Sequence, residues 1–382
     1  MNKLPPLALY IHIPWCERKC PYCDFNSHVS QTSLPETEYI AALERDIQSQ
    51  LSYVQGREIS SIFIGGGTPS LFSAQSIKAI LDNTAARIPF AADIEITMEA
   101  NPGSAEAEKF AALFAAGVNR LSIGVQSFDD LCLTNLGRIH NSGNAINAIK
   151  LAQNAGFTRI NLDLMHGLPA QTQAMAMADL QQAIDLGVEH ISWYQLTIEQ
   201  NTEFYRYPPL LPEDDVLADI QQAGFDLLGL HGFSQYEISA FSKKQAQAQH
   251  NINYWRFGDY LAIGAGAHGK VTVIDAHVMS VKRFNNTRLP KDYLQRQHDF
   301  TAQSESINSE DLLFEALMNG LRLNAGMNTA DCLAYTGASK AALMKMCQPA
   351  IDKKLLLVGD RIEATALGRQ YLNTLLESLL PA

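Results

Sequence analysis

Ala115-Ala-Gly117-Val-Asn-Arg120-Leu-Ser-Ile-Gly-Val125 reads as the end of a helix, a glycine stop and the start of a strand. Glycine readily takes the left-handed conformation that ends a helix, and the run behind it alternates branched and small residues as a strand does. The same join returns as Asn154-Ala-Gly156 before Arg159 and as Asp185-Leu-Gly187 before His190. Working outward from these joins, strand-like runs stand at 7–13, 61–64, 93–99, 120–125, 159–165 and 190–196. Between them apolar residues recur at helical spacing: Ile40, Leu43, Ile47 and Leu51, then Ile77, Ile80 and Leu81, then Phe110, Leu113 and Phe114. Strands separated by helices run parallel with right-handed crossovers, as an open doubly wound sheet or as a (β/α) barrel. Six units with no evident seventh and eighth predict an α/β chain built on a partial (β/α)6 barrel. A further join, His231-Gly232 ahead of 236–238, predicts additional sheet beyond the six.

From about His250 the pattern changes to a loop-rich stretch containing Gly264-Ala-Gly266-Ala-His268-Gly269. Beyond residue 305 it is mostly helical, with Leu312, Leu313, Leu317 and Leu321 on one face, then 341–346 and 367–380. The apolar piece 355–358, Gly359-Asp360 and Arg361-Ile362 reads as a hairpin. Helices followed by a small hairpin resemble a winged helix. The expected division is therefore 1–240 as barrel, 241–300 as an extension and 301–382 as a smaller, mostly helical, winged-helix-like C-terminal domain.

The chain has 382 residues, 47% hydrophobic and 18% charged, with 29 basic against 40 acidic side chains and a net charge of −11. That composition is too apolar for disorder, and no run approaches the roughly 18 to 20 apolar residues of a membrane span. An acidic chain whose longest basic runs are Lys243-Lys244 and Lys353-Lys354 is not expected to bind nucleic acid. Of six cysteines, Cys132, Cys332 and Cys347 are scattered singly, whereas Cys16, Cys20 and Cys23 cluster. Residues 1–6 do not read as a signal peptide, so the reducing cytoplasm is the expected compartment.

The cluster follows the first strand, at the carboxyl end where barrel and open-sheet enzymes place their chemistry. C-x3-C-x2-C bends three soft ligands around one point. Two metal centres fit. A cubane iron–sulfur cluster with three cysteine ligands leaves one iron open, and a zinc site would need a fourth ligand such as His12 or His28.

Tyr10-Ile-His-Ile-Pro-Trp-Cys16-Glu-Arg-Lys-Cys20-Pro-Tyr22-Cys23-Asp-Phe25 resembles the signature of the radical S-adenosylmethionine (SAM) superfamily, with an aromatic residue before the third cysteine. Over nearly the whole chain the resemblance is to the anaerobic coproporphyrinogen III dehydrogenase group, and within it to the haem chaperone branch. It implies a [4Fe-4S] cluster on Cys16, Cys20 and Cys23 whose fourth iron is chelated by the amino and carboxylate groups of SAM. It also implies that the reduced cluster can cleave SAM to methionine and a 5′-deoxyadenosyl radical.

Other motifs are read beside that implication. Gly65-Gly66-Gly67-Thr68-Pro69 permits close backbone approach to a ligand but lacks the lysine of a P-loop, and a plain tight turn is the alternative. By resemblance it receives the SAM amino group, which makes Gly66, Gly67 and Thr68 ligand candidates. Glu99, Gln126 and Asp163 stand at or near strand ends, where burial is costly without a hydrogen-bonding task; satisfaction inside the barrel is the alternative. Arg138 could grip a carboxylate with its planar fork, or form an ordinary ion pair. By resemblance these four, with Tyr10 and Tyr22, belong to the SAM site. The glycine run at 264–269 fits G-x-G-x-x-G, yet a strand follows where a dinucleotide fold needs a helix, so its glycines are expected to let a loop close over the barrel mouth.

Two departures separate the chain from the dehydrogenase. Phe25 stands where that enzyme has a further cysteine, and the first strand begins by Leu7 where that enzyme has an amino-terminal extension. His250-Asn251-Ile-Asn-Tyr254-Trp255 matches the H-N-x-x-Y-W motif of the chaperone branch. A histidine in a polar loop beside two large aromatics can supply an axial nitrogen to haem iron while the rings cover the porphyrin; a surface histidine beside a packed pair is the alternative. The expected function is haem binding through His250 and transfer to haem-requiring acceptors such as respiratory haem proteins. A radical SAM porphyrinogen decarboxylase and a zinc-stabilised interaction protein are the rivals. The resemblance leaves room for a homodimer and for peripheral membrane association through acceptors. The negative charge does not oppose an anionic porphyrin, whose binding would depend on local groups such as His250 and Arg256.

Overall fold

Alternation along the first strand decides what faces the site. Leu7, Leu9, Ile11 and Ile13 point into the core shared with the surrounding helices, while Tyr10 and His12 point the other way, into a cavity. The computed structural model describes residues 3–30, 33–103, 108–276 and 278–380. In it β1 (Leu7–Ile13), β2 (Ile59–Gly66), β3 (Phe90–Ala100), β4 (Arg120–Gln126), β5 (Arg159–His166) and β6 (His190–Gln195) lie side by side, each parallel to the next. These are the six expected strands. The join glycines Gly117, Gly156 and Gly187 have φ of +110°, +102° and +74°, as a left-handed helix stop requires.

The barrel does not close. Beyond β6 the sheet continues antiparallel through β8 (Ala240–Ser242) to β7 (Ser234–Gln235). The additional sheet expected here is present, but 236–238 forms the connection between its two short strands. On the other edge β1 pairs in parallel with β9 (Asp259–Ile263), followed by the antiparallel strands β10 (His268–Asp275), β11 (Val278–Asn286) and β12 (Thr301–Ile307). The sheet thus has twelve strands and runs to Ile307, past the expected division at 300.

Residues around 250 differ from expectation: Gln249–Trp255 is a helix, packed against β1, β2 and β9. Its first turn has no side-chain cap of its own. Instead the Gln249 N–H donates to the Glu95 carboxylate at 2.8 Å. Glu95, buried in the middle of β3, also faces Arg159 at 3.2 Å and Arg120 at 3.8 Å. A carboxylate at a helix N-terminus satisfies an otherwise orphaned N–H, and this one is remote in sequence.

The C-terminal part has its own core, including Leu312, Leu317, Cys332, Leu343, Cys347 and Ile362. Helices Ser309–Gly320, Thr329–Thr336 and Lys340–Asp352 precede the hairpin Leu356–Val358 and Arg361–Ala364, joined by Met327–Asn328 into a small sheet. This is the helical, winged arrangement expected. Among the described residues no helix is long and apolar enough to cross a membrane.

Candidate functional site

The cysteine loop leaves β1 and returns on itself, because Trp15–Cys16 pairs in parallel with His28–Val29. The His28 N–H donates to the Pro14 carbonyl at 2.7 Å and that of Ser30 to Cys16 at 3.1 Å. Cys16 is buried, Cys20 and Cys23 are half-buried, and all three line one cavity of about 330 Å³ at the carboxyl ends of the strands. Burial pushes the Cys16 and Cys23 thiols up, and the neighbouring thiols add to it. Crowded acids of this kind ionise together when a cation sits among them, as iron in a cluster would. Among the described residues no group of three or more His, Cys, Asp or Glu side chains stands ready around one metal ion. Thiols that each ligate a different iron of a cubane need not. The zinc reading also loses its fourth ligand: His12 spends its ring nitrogens on the Tyr10 hydroxyl and the Asn26 carbonyl, both at 2.9 Å, and His28 uses Nε2 on Asn26 Oδ1 at 3.3 Å.

The glycine run ends β2 against this loop. A Cβ on Gly67 would lie 2.3 Å from the Trp15 carbonyl oxygen, and one on Gly66, at φ +121°, 2.7 Å from the His12 ring. The close approach is therefore to β1 and the cysteine loop, although Gly66, Gly67 and Thr68 also line the cavity. The Gly67 N–H donates to Ile13 at 2.8 Å and the Thr68 N–H to Trp15 at 2.7 Å, so loop and strand are locked together.

The remaining candidates surround the same space. Tyr22, Glu99, Gln126, Arg138 and Asp163 all line it. Arg138 donates to Asn101 Oδ1 at 2.7 Å, to the Gly124 carbonyl at 2.8 Å and to Cys20 Sγ at 3.6 Å, while its Nε is buried without a partner among the described residues. It is not a surface ion pair. Gln126 sits at φ +71°, beside a register shift between β4 and β5, and accepts from the Tyr194 hydroxyl at 2.9 Å. A bulge with a left-handed non-glycine residue re-aims a side chain at a cost in backbone strain. Asp163 accepts from Ser122 at 2.9 Å and Asn161 at 2.8 Å. Asn101, Ser122 and Asn161 escaped the sequence reading, although Ser122 and Asn161 lie on the inward faces of β4 and β5 by the same two-residue period as Gln126 and Asp163.

Glu99 shows what the cavity lacks. Among the described residues it accepts only the Gly66 N–H, at 3.0 Å, and burial, followed by the Asp163 charge, pushes its pKa up from 4.5 to about 8. A cationic ligand would reverse that shift. Between pH 4.5 and about 8 the folded ligand-free protein holds a proton that the unfolded chain has released, so stability falls as pH rises across this window. We expect Glu99→Gln to remove that loss, raising Tm at pH 8 by roughly 2–5 °C, and to weaken SAM binding. Thermal scans at pH 5 and pH 8 with and without SAM check both parts.

A second cavity, of about 510 Å³, adjoins the first, with Phe25, Phe63, Gly66 and Glu99 lining both. Tyr10 lines this one and not the cysteine cavity. So does His250, which points from the helix Gln249–Trp255 onto the Phe63 ring, centroids 4.9 Å apart. Its Nδ1 is buried with no partner among the described residues, and burial pushes its pKa down to about 4, so the ring is neutral with free lone-pair capacity. Three expectations need correction. His250 is helical, not in a polar loop. Tyr254 lines the cavity but Trp255 does not, lying instead under the Arg322 guanidinium at 4.3 Å. Arg256, at the other end of the helix, lines a different cavity, beside Asp331 and Arg361.

The glycine loop 264–269 closes one side of this region. Gly264 and Gly266 have φ of +108° and +77°, and Asn26 of the cysteine loop donates to the Ala265 carbonyl at 3.0 Å. Beneath it Asp46, wholly buried on the helix Glu36–Ser49, accepts from the Gly264 N–H, Asn286, Tyr293 and Gln50 at 2.7 to 3.0 Å. An acid on the apolar stripe between Leu43 and Ile47 was the signal for this hub. Asp46→Ala strands several buried donors and is expected to cost about 2–4 kcal/mol, read as a lowered denaturant midpoint.

These features define an open (β/α) barrel with three clustered thiols beside a cavity lined by acidic, amide and guanidinium side chains, as a cluster-and-SAM site requires. Matches to known families agree. The radical SAM superfamily matches residues 10–183 and the HemN C-terminal domain residues 307–371. Heme chaperone HemW of Escherichia coli is 49% identical over 381 residues, covering all of both chains. That of Haemophilus influenzae is also 49% identical, over 100% of this chain and 99% of the relative. The bovine mitochondrial radical S-adenosyl methionine domain-containing protein 1 is 37% identical, over 84% and 74%. The solved E. coli coproporphyrinogen III oxidase HemN superposes with a TM-score of 0.82 at 23% identity, over 98% of this chain and 90% of that one, so the fold is shared. The chain belongs to the HemW family of the radical SAM superfamily.

Proposed function

We propose that the chain binds haem through His250 and passes it to haem-requiring acceptor proteins. The observation that carries this is the buried, uncommitted His250 ring in a cavity that adjoins the cysteine cavity. The name borne by the relatives, heme chaperone, supports it. Cys16, Cys20 and Cys23 hold a [4Fe-4S] cluster in this reading, and the bound cluster supplies reversible one-electron chemistry beside SAM.

The chain's own residues do the rest. Glu99 and Asp163 offer negative charge to the cationic groups of SAM. Gly66, Gly67 and Thr68 shape the wall, Tyr22 and Gln126 offer hydrogen bonds, and Arg138, held by Asn101 and Gly124, presents an unused N–H for a carboxylate. Tyr10, turned toward His12, lines the second cavity and not the cysteine cavity, so in this reading it stands on the haem side rather than among the SAM residues. Acceptors such as respiratory haem proteins, a homodimer and peripheral membrane association through acceptors are part of the proposal. Phe25, 60% exposed where the dehydrogenase has its further cysteine, favours the carrier over the decarboxylase. Anaerobically reconstituted protein is expected to bind haem stoichiometrically and to leave coproporphyrinogen III unchanged under reducing conditions with SAM. Decarboxylation to protoporphyrinogen would overturn the reading.

A further inference from the structure

The second cavity contains more than one histidine, and they are not equivalent. His12 has both ring nitrogens engaged, by Tyr10 and Asn26. The phenols of Tyr10 and Tyr260 are pushed well up by burial, so neither is available as a phenolate ligand. His250 and His268 remain. His250 lies at the inner end against Phe63. His268 is exposed, begins β10 opposite Asn285 of β11, and its imidazole has no hydrogen-bond partner among the described residues. Arg288, also exposed, lines the same cavity as His268, whose pKa is lowered first by burial and then by the Arg288 charge. It forms no ion pair among the described residues.

Haem iron accepts an axial ligand on each face, and the porphyrin carries two carboxylates on one edge. A cavity with one uncommitted imidazole inside, another at its mouth and a free guanidinium beside the second matches both requirements. We propose that haem here is six-coordinate, with His268 as the second axial ligand opposite His250 and a propionate on Arg288. This rests on the haem reading above and deepens it. The exposed ligand is then the one an acceptor displaces. The iron–nitrogen bond to His268 breaks, its electron pair returns to the imidazole, and an acceptor ligand donates its own pair in exchange. Iron keeps its oxidation state, and His250 holds the inner face until the second exchange.

The test uses full-length, cluster-reconstituted protein loaded with ferric haem, with iron and sulfide content as the check on folding. Wild type is expected to give a low-spin, six-coordinate spectrum. His268→Ala should convert it to high spin, and His268→Met, which brings a thioether ligand, should restore low spin with a shifted spectrum. An unchanged low-spin spectrum in His268→Ala, or failure of His268→Met to restore low spin, overturns the second-ligand assignment. Wild type should prefer haem over its dimethyl ester by about 10- to 100-fold, and Arg288→Ala should erase that preference. Equal weakening of both ligands by Arg288→Ala overturns the propionate contact. Wild type that binds no haem overturns the underlying haem reading itself, an outcome distinct from the other two.

Discussion

Serine in place of any one of Cys16, Cys20 or Cys23 is expected to leave the anaerobically reconstituted protein without its [4Fe-4S] cluster. Each thiol lines the same cavity, on a loop fixed by the Trp15–Cys16 and His28–Val29 pairing and by Gly67 and Thr68. No spare thiol can substitute. Cys132 is buried in a separate small cluster with Leu136 and Met165, and Cys332 and Cys347 lie in the C-terminal core. The expected result is loss of nearly all bound iron and sulfide and of the broad visible absorption. SAM affinity should fall with it, because in the proposed reading the open iron would accept the amino and carboxylate groups of SAM as its ligands. Serine at Cys132, Cys332 or Cys347 should leave iron content unchanged and lower stability by about 1–2 kcal/mol. Iron and sulfide analysis of the six single variants checks both arms.

His250→Ala is expected to weaken haem binding by at least about 10- to 100-fold while leaving the cluster intact. The separation follows from the geometry. His250 touches Phe63 and the second cavity, whereas the cluster loop is fastened by backbone contacts that His250 does not make. The ring is also held by an element that would survive its loss, since the helix Gln249–Trp255 is anchored through the Gln249 N–H to Glu95. Titration of haem into wild type and variant, each with full iron and sulfide content, gives the ratio. Equal affinities with identical spectra would remove His250 as a ligand.

The pattern of strands and helix stops was legible because it is local. β1 spans the residues read for it, and Gly117, Gly156 and Gly187 stop their helices as the joins implied. The cysteine spacing and the polar strand ends are local too, and they mark Cys16, Glu99, Gln126 and Asp163, while Arg138 enters through the family resemblance; all five meet around one cavity. What was missed depends on partners far along the chain. The helix at 249–255 looked like a loop because the group satisfying its first turn, Glu95, lies on β3. Arg256, named beside His250 as a local group for the porphyrin, lies in a different cavity. Arg288, brought in by the antiparallel extension, is the arginine that lines the cavity. Trp255 was grouped with Tyr254 as a porphyrin cover, but one residue along a helix turns a side chain by about 100°, and it packs on Arg322 instead.

The central claim is that the chain carries haem and gives it up. Haem-loaded, cluster-containing protein, mixed anaerobically with an apo-haem protein and followed by the acceptor's own absorption, tests this most directly. The account predicts stoichiometric transfer from wild type and little from His250→Ala loaded under the same conditions. Transfer at the rate of free haem in both proteins, unaffected by the substitution, would contradict it.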